Sequence, residues 1–170
     1  KIETPEEQQI TFFELFKENI QAAKAGIRLN AKTGKPLSMH TCKTMHTIYT
    51  HLIDFQKVYK RRIDFSTIDL DFYQDYTEYL IKGKRSDRKT GKLVTIGLST
   101  NTVGKHIQII KEVLREASEK GIVVNNAFKS KRFKTVKEKT DSIYLNEKEL
   151  EVLETLDLSG NDRMERVRDL

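Results

Sequence analysis

The 170 residues carry 31 Lys and Arg against 25 Asp and Glu, a net charge of +6, with 37% hydrophobic and 33% charged residues. That is room for one ordinary domain of roughly 100–150 residues and a piece of another, and no apolar run approaches the roughly 20 residues that span a bilayer. The first residue is lysine, the opening stretch lacks the apolar core of a secretory signal, and Cys42 stands alone; the sequence reads as a piece of a longer chain, without an internal disulfide, suited to a reducing cytoplasm.

Residues 1–7 read as a polar tail. Thr11 then precedes Phe13, Phe16, Ile20 and Ala23 at spacings of three and four, which predicts a first helix ending near Gly26. Gly34 and Pro36 mark a loop. Ser38 can cap a long second helix to about Lys60, with Cys42, Met45, Tyr49, Leu52 and Phe55 on one face. Asp69 is the N-cap of a third helix with Phe72, Tyr76 and Leu80 inward, followed by a loop carrying Gly83, Gly91 and Gly97. Ser99 or Thr100 caps a fourth helix, in which Val103, Ile107, Ile110, Leu114 and Ala117 point inward and Gly121 stops the run. Almost no period-2 alternation suggests strands.

The second and fourth helices resemble one another on a shift of 61 residues: Leu37, Ser38, Thr41 and Ile48 fall on Leu98, Ser99, Thr102 and Ile109, and each helix follows a Lys-Thr-Gly-Lys turn. So few matches fit shared capping chemistry as well as duplication. Past Gly121, residues 129–141 read as a basic linker, and a new unit starts near Ser142, where Asn146 and Glu149 form a capping-box start for a short helix through Leu153.

Charge is uneven along the chain. Residues 141–170 hold nine acids and four bases, leaving 27 bases against 16 acids in residues 1–140. The bases gather in three runs: Lys57, Lys60, Arg61 and Arg62; Lys82, Lys84, Arg85, Arg88, Lys89 and Lys92; Lys129, Lys131, Arg132, Lys134, Lys137 and Lys139. One such run is usually a solvated face, but three on one segment favour a polyanionic partner.

Catalytic constellations are sparse. No phosphate-binding glycine loop occurs. Cys42 and His46 stand four apart but lack a second ligand pair, so Cys42 reads as core and no metal or cofactor is expected. His40, His51 and His106 fall on different faces or helices with no spacing that singles out a base, and Tyr49, Tyr76 and Tyr79 lie at packing positions. Opposite the apolar stripes, the early turns of the second helix present His40, Lys43, Thr44 and Thr47, and those of the fourth Thr100, Asn101, Lys105 and Gln108. Short hydroxyl, amide and basic side chains near a helix start suit phosphate oxygens, although ordinary capping and solvation use the same residues. With Lys129, Lys131, Arg132 and Lys134 these are the candidate DNA contacts.

Thr11–Ile20 (TFFELFKENI), Ser99–Val123 (STNTVGKHIQIIKEVLREASEKGIV), Tyr144–Leu150 (YLNEKEL) and Met164–Leu170 (MERVRDL) together resemble the tyrosine recombinases, or phage integrases, of bacterial mobile elements. Asn126-Ala127-Phe128 stands where the family often has Asn-Pro-Phe. The resemblance implies an all-α, four-helix, SAM-like core-binding domain over residues 8–128 and, over 142–170, the truncated start of an α/β catalytic domain. It further implies double-stranded DNA and other recombinase protomers as partners, a bacterial cytoplasmic setting, and contacts from the second and fourth helices to the DNA backbone. Known members cleave DNA with a tyrosine nucleophile assisted by arginines, a lysine and histidines; by the resemblance all of these lie beyond residue 170, Tyr144 is not the nucleophile, and the fragment is not itself an enzyme. A helical protein-interaction module and a free-standing helical regulator of transcription are the rival readings.

Overall fold

The computed structural model describes residues 10–30, 33–86, 90–139, 144–158, 160–161, 163–164 and 166. The tail at 1–7, Arg88 and Lys89 of the second basic run, Ser142 and the Arg168–Leu170 motif lie outside the described residues. Two units divide after Glu138.

The first unit holds α1 (Phe12–Lys24), α2 (Met39–Val58), α3 (Leu70–Lys82), β1 (Lys84–Ser86), β2 (Leu93–Thr95), α4 (Thr100–Glu119) and a 3-10 turn, Asn126–Lys129. Thr11 and Glu14 close a capping box on α1; Ser38 caps α2 through the Thr41 N–H, and Asp69 caps α3 through the Phe72 N–H. Gly26 and Gly121 end α1 and α4 in left-handed conformations, φ 73° and 79°. In each case the next residue's N–H reaches back five positions, Ile27 to Ala22 and Ile122 to Ala117, so glycine supplies the turn and the last carbonyls gain donors.

The core joins all four helices. Phe12, Leu15, Phe16 and Ile20 of α1 meet Ile48, Leu52 and Phe55 of α2, Phe72, Tyr76 and Leu80 of α3, and Val103, Ile107, Ile110, Leu114 and Ala117 of α4. The inward face of α1 is turned slightly from the sequence expectation. Phe12 is buried and Phe13 only partly so, because Phe12 opens the i, i+3, i+4 series that continues through Leu15 and Phe16. Phe13 instead stands edge-on to Tyr49 of α2, itself half-buried.

The connection between α3 and α4 corrects the purely helical expectation. β1 and β2 pair antiparallel as a hairpin, Lys84 opposite Thr95 and Ser86 opposite Leu93, where the sequence had suggested an open loop. Each strand spans three residues and every described side chain on it is exposed, so no inward-outward alternation marks it; the Leu93-Val94-Thr95 run is the only local strand signal.

In the second unit α5 (Glu147–Thr155) starts from an Asn146–Glu149 capping box, as the sequence predicts. Its residues are all exposed, among them Leu150, Val152 and Leu153.

Candidate nucleic-acid interface

On α2, His40, Lys43 and Thr47 are exposed and Thr44 is half-buried. The two threonine hydroxyls donate backwards into the helix, Thr44 to the His40 carbonyl and Thr47 to the Lys43 carbonyl, each at 3.0 Å. Phosphate oxygens only accept, so a hydroxyl whose proton is already given to the backbone offers them little. The outward donors of this face are therefore His40 and Lys43.

On α4 three of the four candidates are engaged. Thr100 Oγ1 donates to the Glu138 carboxylate at 2.7 Å, Asn101 Oδ1 accepts the Glu138 N–H at 2.8 Å, and Gln108 Nε2 donates to Glu112 at 3.0 Å. Lys105 is exposed and its ammonium makes no hydrogen bond among the described residues. The shared hydroxyl motif of the two helices is real at atomic level: Ser38 Oγ lies 3.0 Å from Thr41 Oγ1, and Ser99 Oγ 3.0 Å from Thr102 Oγ1. Gly34 and Gly91 in the preceding turns likewise share a left-handed φ, 64° and 67°.

The start of α2 lies toward the far half of α4, away from the α4 N-terminus. The ring of His51 on α2 meets that of His106 on α4, 5.4 Å between centroids. Arg28, whose carbonyl accepts the Leu37 N–H just before α2, bonds Glu116 through its guanidinium at 2.7 Å. Glu116 is about 24 Å along α4 from Thr100 at 1.5 Å per residue. The two helix starts are therefore not side by side.

Residues 129–138 differ from the open linker expected of them. Phe128 and Phe133 are buried, and Val136 packs on the core. Tyr73 of α3 donates its hydroxyl to the Lys134 carbonyl at 3.1 Å, and Lys111 of α4 its ammonium to the Phe133 carbonyl at 3.1 Å. Gly104 lets this segment touch α4, since a Cβ there would stand 1.9 Å from the Val136 carbonyl oxygen. The segment is a strap laid over α3 and α4, and it turns Lys129, Lys131, Arg132 and Lys134 to solvent. The apolar residues threaded through the basic run, Phe128, Phe133 and Val136, were the signal for it. Lys111 and Glu138 had no signal in the sequence, because neither stands out until the strap meets α4.

The buried histidines form a separate cluster. Tyr76 Oη lies 2.9 Å from His106 Nδ1, and burial first, then the neighbouring His51, push the His106 pKa down to about 3. Placed in the core, this pair is packing. Among the described residues no group of three or more His, Cys, Asp and Glu could hold a metal, and no helix is long and apolar enough to cross a membrane.

The phage integrase SAM-like domain family matches residues 11–140. The chain belongs to this family, that of the tyrosine recombinases. The match extends past Glu138 and so takes in the strap as well as the four helices of the SAM-like domain. No curated protein and no solved structure matches the chain.

Proposed function

We propose that this SAM-like domain grips the backbone of duplex DNA for a bacterial tyrosine recombinase whose catalytic residues lie outside these 170 residues. The observation that carries the reading is the distribution of uncompensated charge. Lys57, Arg61, Arg62, Lys82 and Lys120 each face a carboxylate within 4 Å. Lys43, Lys105, Lys129, Lys131, Arg132, Lys134 and Lys137 face none among the described residues; scattered lysines such as Lys17 and Lys24 share that state, but the strap gathers five such cations within nine positions. Cations left without partners on an ordered surface attract a polyanion, and contacts of this kind position a protein on DNA without reading its sequence.

In this reading Lys43 and Lys105 contact phosphates along the α2–α4 face, the strap lysines extend the contact, and the unit containing α5 opens the catalytic domain. The full-length recombinase would meet its other protomers on the same DNA in the bacterial cytoplasm. The test is a duplex titration at low salt with Lys43→Ala and Lys105→Ala, each expected to weaken binding while the far-ultraviolet dichroism is unchanged. Lys17→Ala, an exposed position on α1, is the charge-matched control. An equal loss from Lys17→Ala reduces the proposed face to diffuse charge attraction.

A further inference from the structure

Between α4 and the strap lies an open concavity of about 620 Å³ lined by Lys111, Lys129, Lys131, Lys134 and Lys137, with no carboxylate among its lining residues. Thr100 lines one end, where it holds Glu138. We propose that this concavity is a phosphate seat, with Lys111 of α4 as its floor and the strap lysines as its walls.

The surroundings of Lys111 set it apart from a solvated surface lysine. Its Nζ is fixed by one hydrogen bond to the Phe133 carbonyl and stands 5.9 Å from the Phe133 ring centroid. An ammonium has three N–H donors, so two remain for a ligand. Partial burial, then the charge of Arg115, hold its pKa below the ordinary lysine value, as for a cation that lacks a counter-anion. Lys129 is also positioned, 5.5 Å from the Phe128 ring centroid. The two aromatic residues that dock the strap thus orient the two ammonium groups nearest its anchor points. Five lysines against the single carboxylate at the rim give a local excess that a phosphodiester, with one negative charge and acceptor oxygens only, satisfies by direct hydrogen bonds. The size of the concavity admits a phosphate with its flanking sugars.

The phosphate comes either from DNA or from a free polyphosphate, and identifying it as DNA rests on the function proposed above. The experiment separates the two. Amide signals of residues 129–137 in the full 170-residue chain are followed by NMR during titration with inorganic tripolyphosphate and, separately, with a short duplex. Both are expected to shift these signals saturably. Lys111→Met keeps the aliphatic stem and should weaken each ligand about tenfold, as for loss of a charged hydrogen bond. The double variant Lys131→Ala/Lys137→Ala, at exposed positions that leave the docking intact, should do likewise if Lys111→Met fails to fold. Tripolyphosphate shifts without DNA shifts keep the seat and remove the DNA reading. Duplex binding that neither variant weakens, with tripolyphosphate moving nothing in the strap, overturns the seat and leaves the DNA reading standing.

Discussion

His51 and His106 are almost fully buried, ring against ring, and the Tyr76 hydroxyl pairs with His106 inside the core. With a folded pKa near 3 against 6.5 in the unfolded chain, His106 stays neutral in the native state between those two values, where the unfolded chain protonates it. A depressed histidine therefore contributes nothing above pH 6.5 and costs stability as the pH falls below that value, at about 1.4 kcal/mol per pH unit until the folded pKa is reached. Asp69 and Glu116, whose pKa values are lowered by Arg61 and Arg28, lose their contribution only below their ordinary carboxylate values of 3.8 and 4.5. The window from pH 6 to 5 therefore belongs to His106. Urea unfolding at these two pH values should show the loss in the native chain and a flatter dependence in His106→Gln. An unchanged slope in that variant would remove His106 as its source.

The strap is the element that sequence reading resolved least. Helix limits were legible because caps and stops are local: Thr11 with Glu14, Asp69 with Phe72 and Gly121 each act within a few residues. The α4 stripe was legible because its period is regular. The docking of 129–138 depends on Tyr73, Gly104 and Lys111, which lie from 22 to 61 residues away from the positions they touch, and no local period encodes that. The hairpin escaped for a related reason, its exposed three-residue strands leaving no hydrophobic alternation to read. Two outcomes follow for the strap. Phe133→Ala should cost the folded domain about 3 kcal/mol in urea unfolding, the scale of a buried phenylalanine, where an open linker would show no change. Gly104→Ala, which in a free helix would gain about 1 kcal/mol, should instead force the Val136 carbonyl away. Trypsin should then cut at Lys134 and Lys137 sooner than in the native chain, and unchanged cleavage would mean that the strap tolerates the Cβ.

At the scale of the molecule, charge sorts with the two units: the first carries the basic excess, whereas residues 141–170 are net acidic. The candidate contacts were legible as residue types, but their arrangement was not. Thr100 and Asn101 turn to Glu138, the α2 threonines turn to their own backbone, and the lysines are left as the outward donors. That pattern predicts affinity carried by charge, with modest sequence preference. The 170-residue chain should neither nick nor relax supercoiled plasmid, and time-dependent relaxation by nuclease-free protein would refute that. The most direct measurement is the affinity for a short duplex as a function of salt. With about five phosphates engaged, log K should fall against log salt with a slope of roughly −4 to −5, and Lys43→Ala or Lys105→Ala should each flatten it by about one. A slope near zero, or no duplex binding at low salt by the folded chain, would contradict the account.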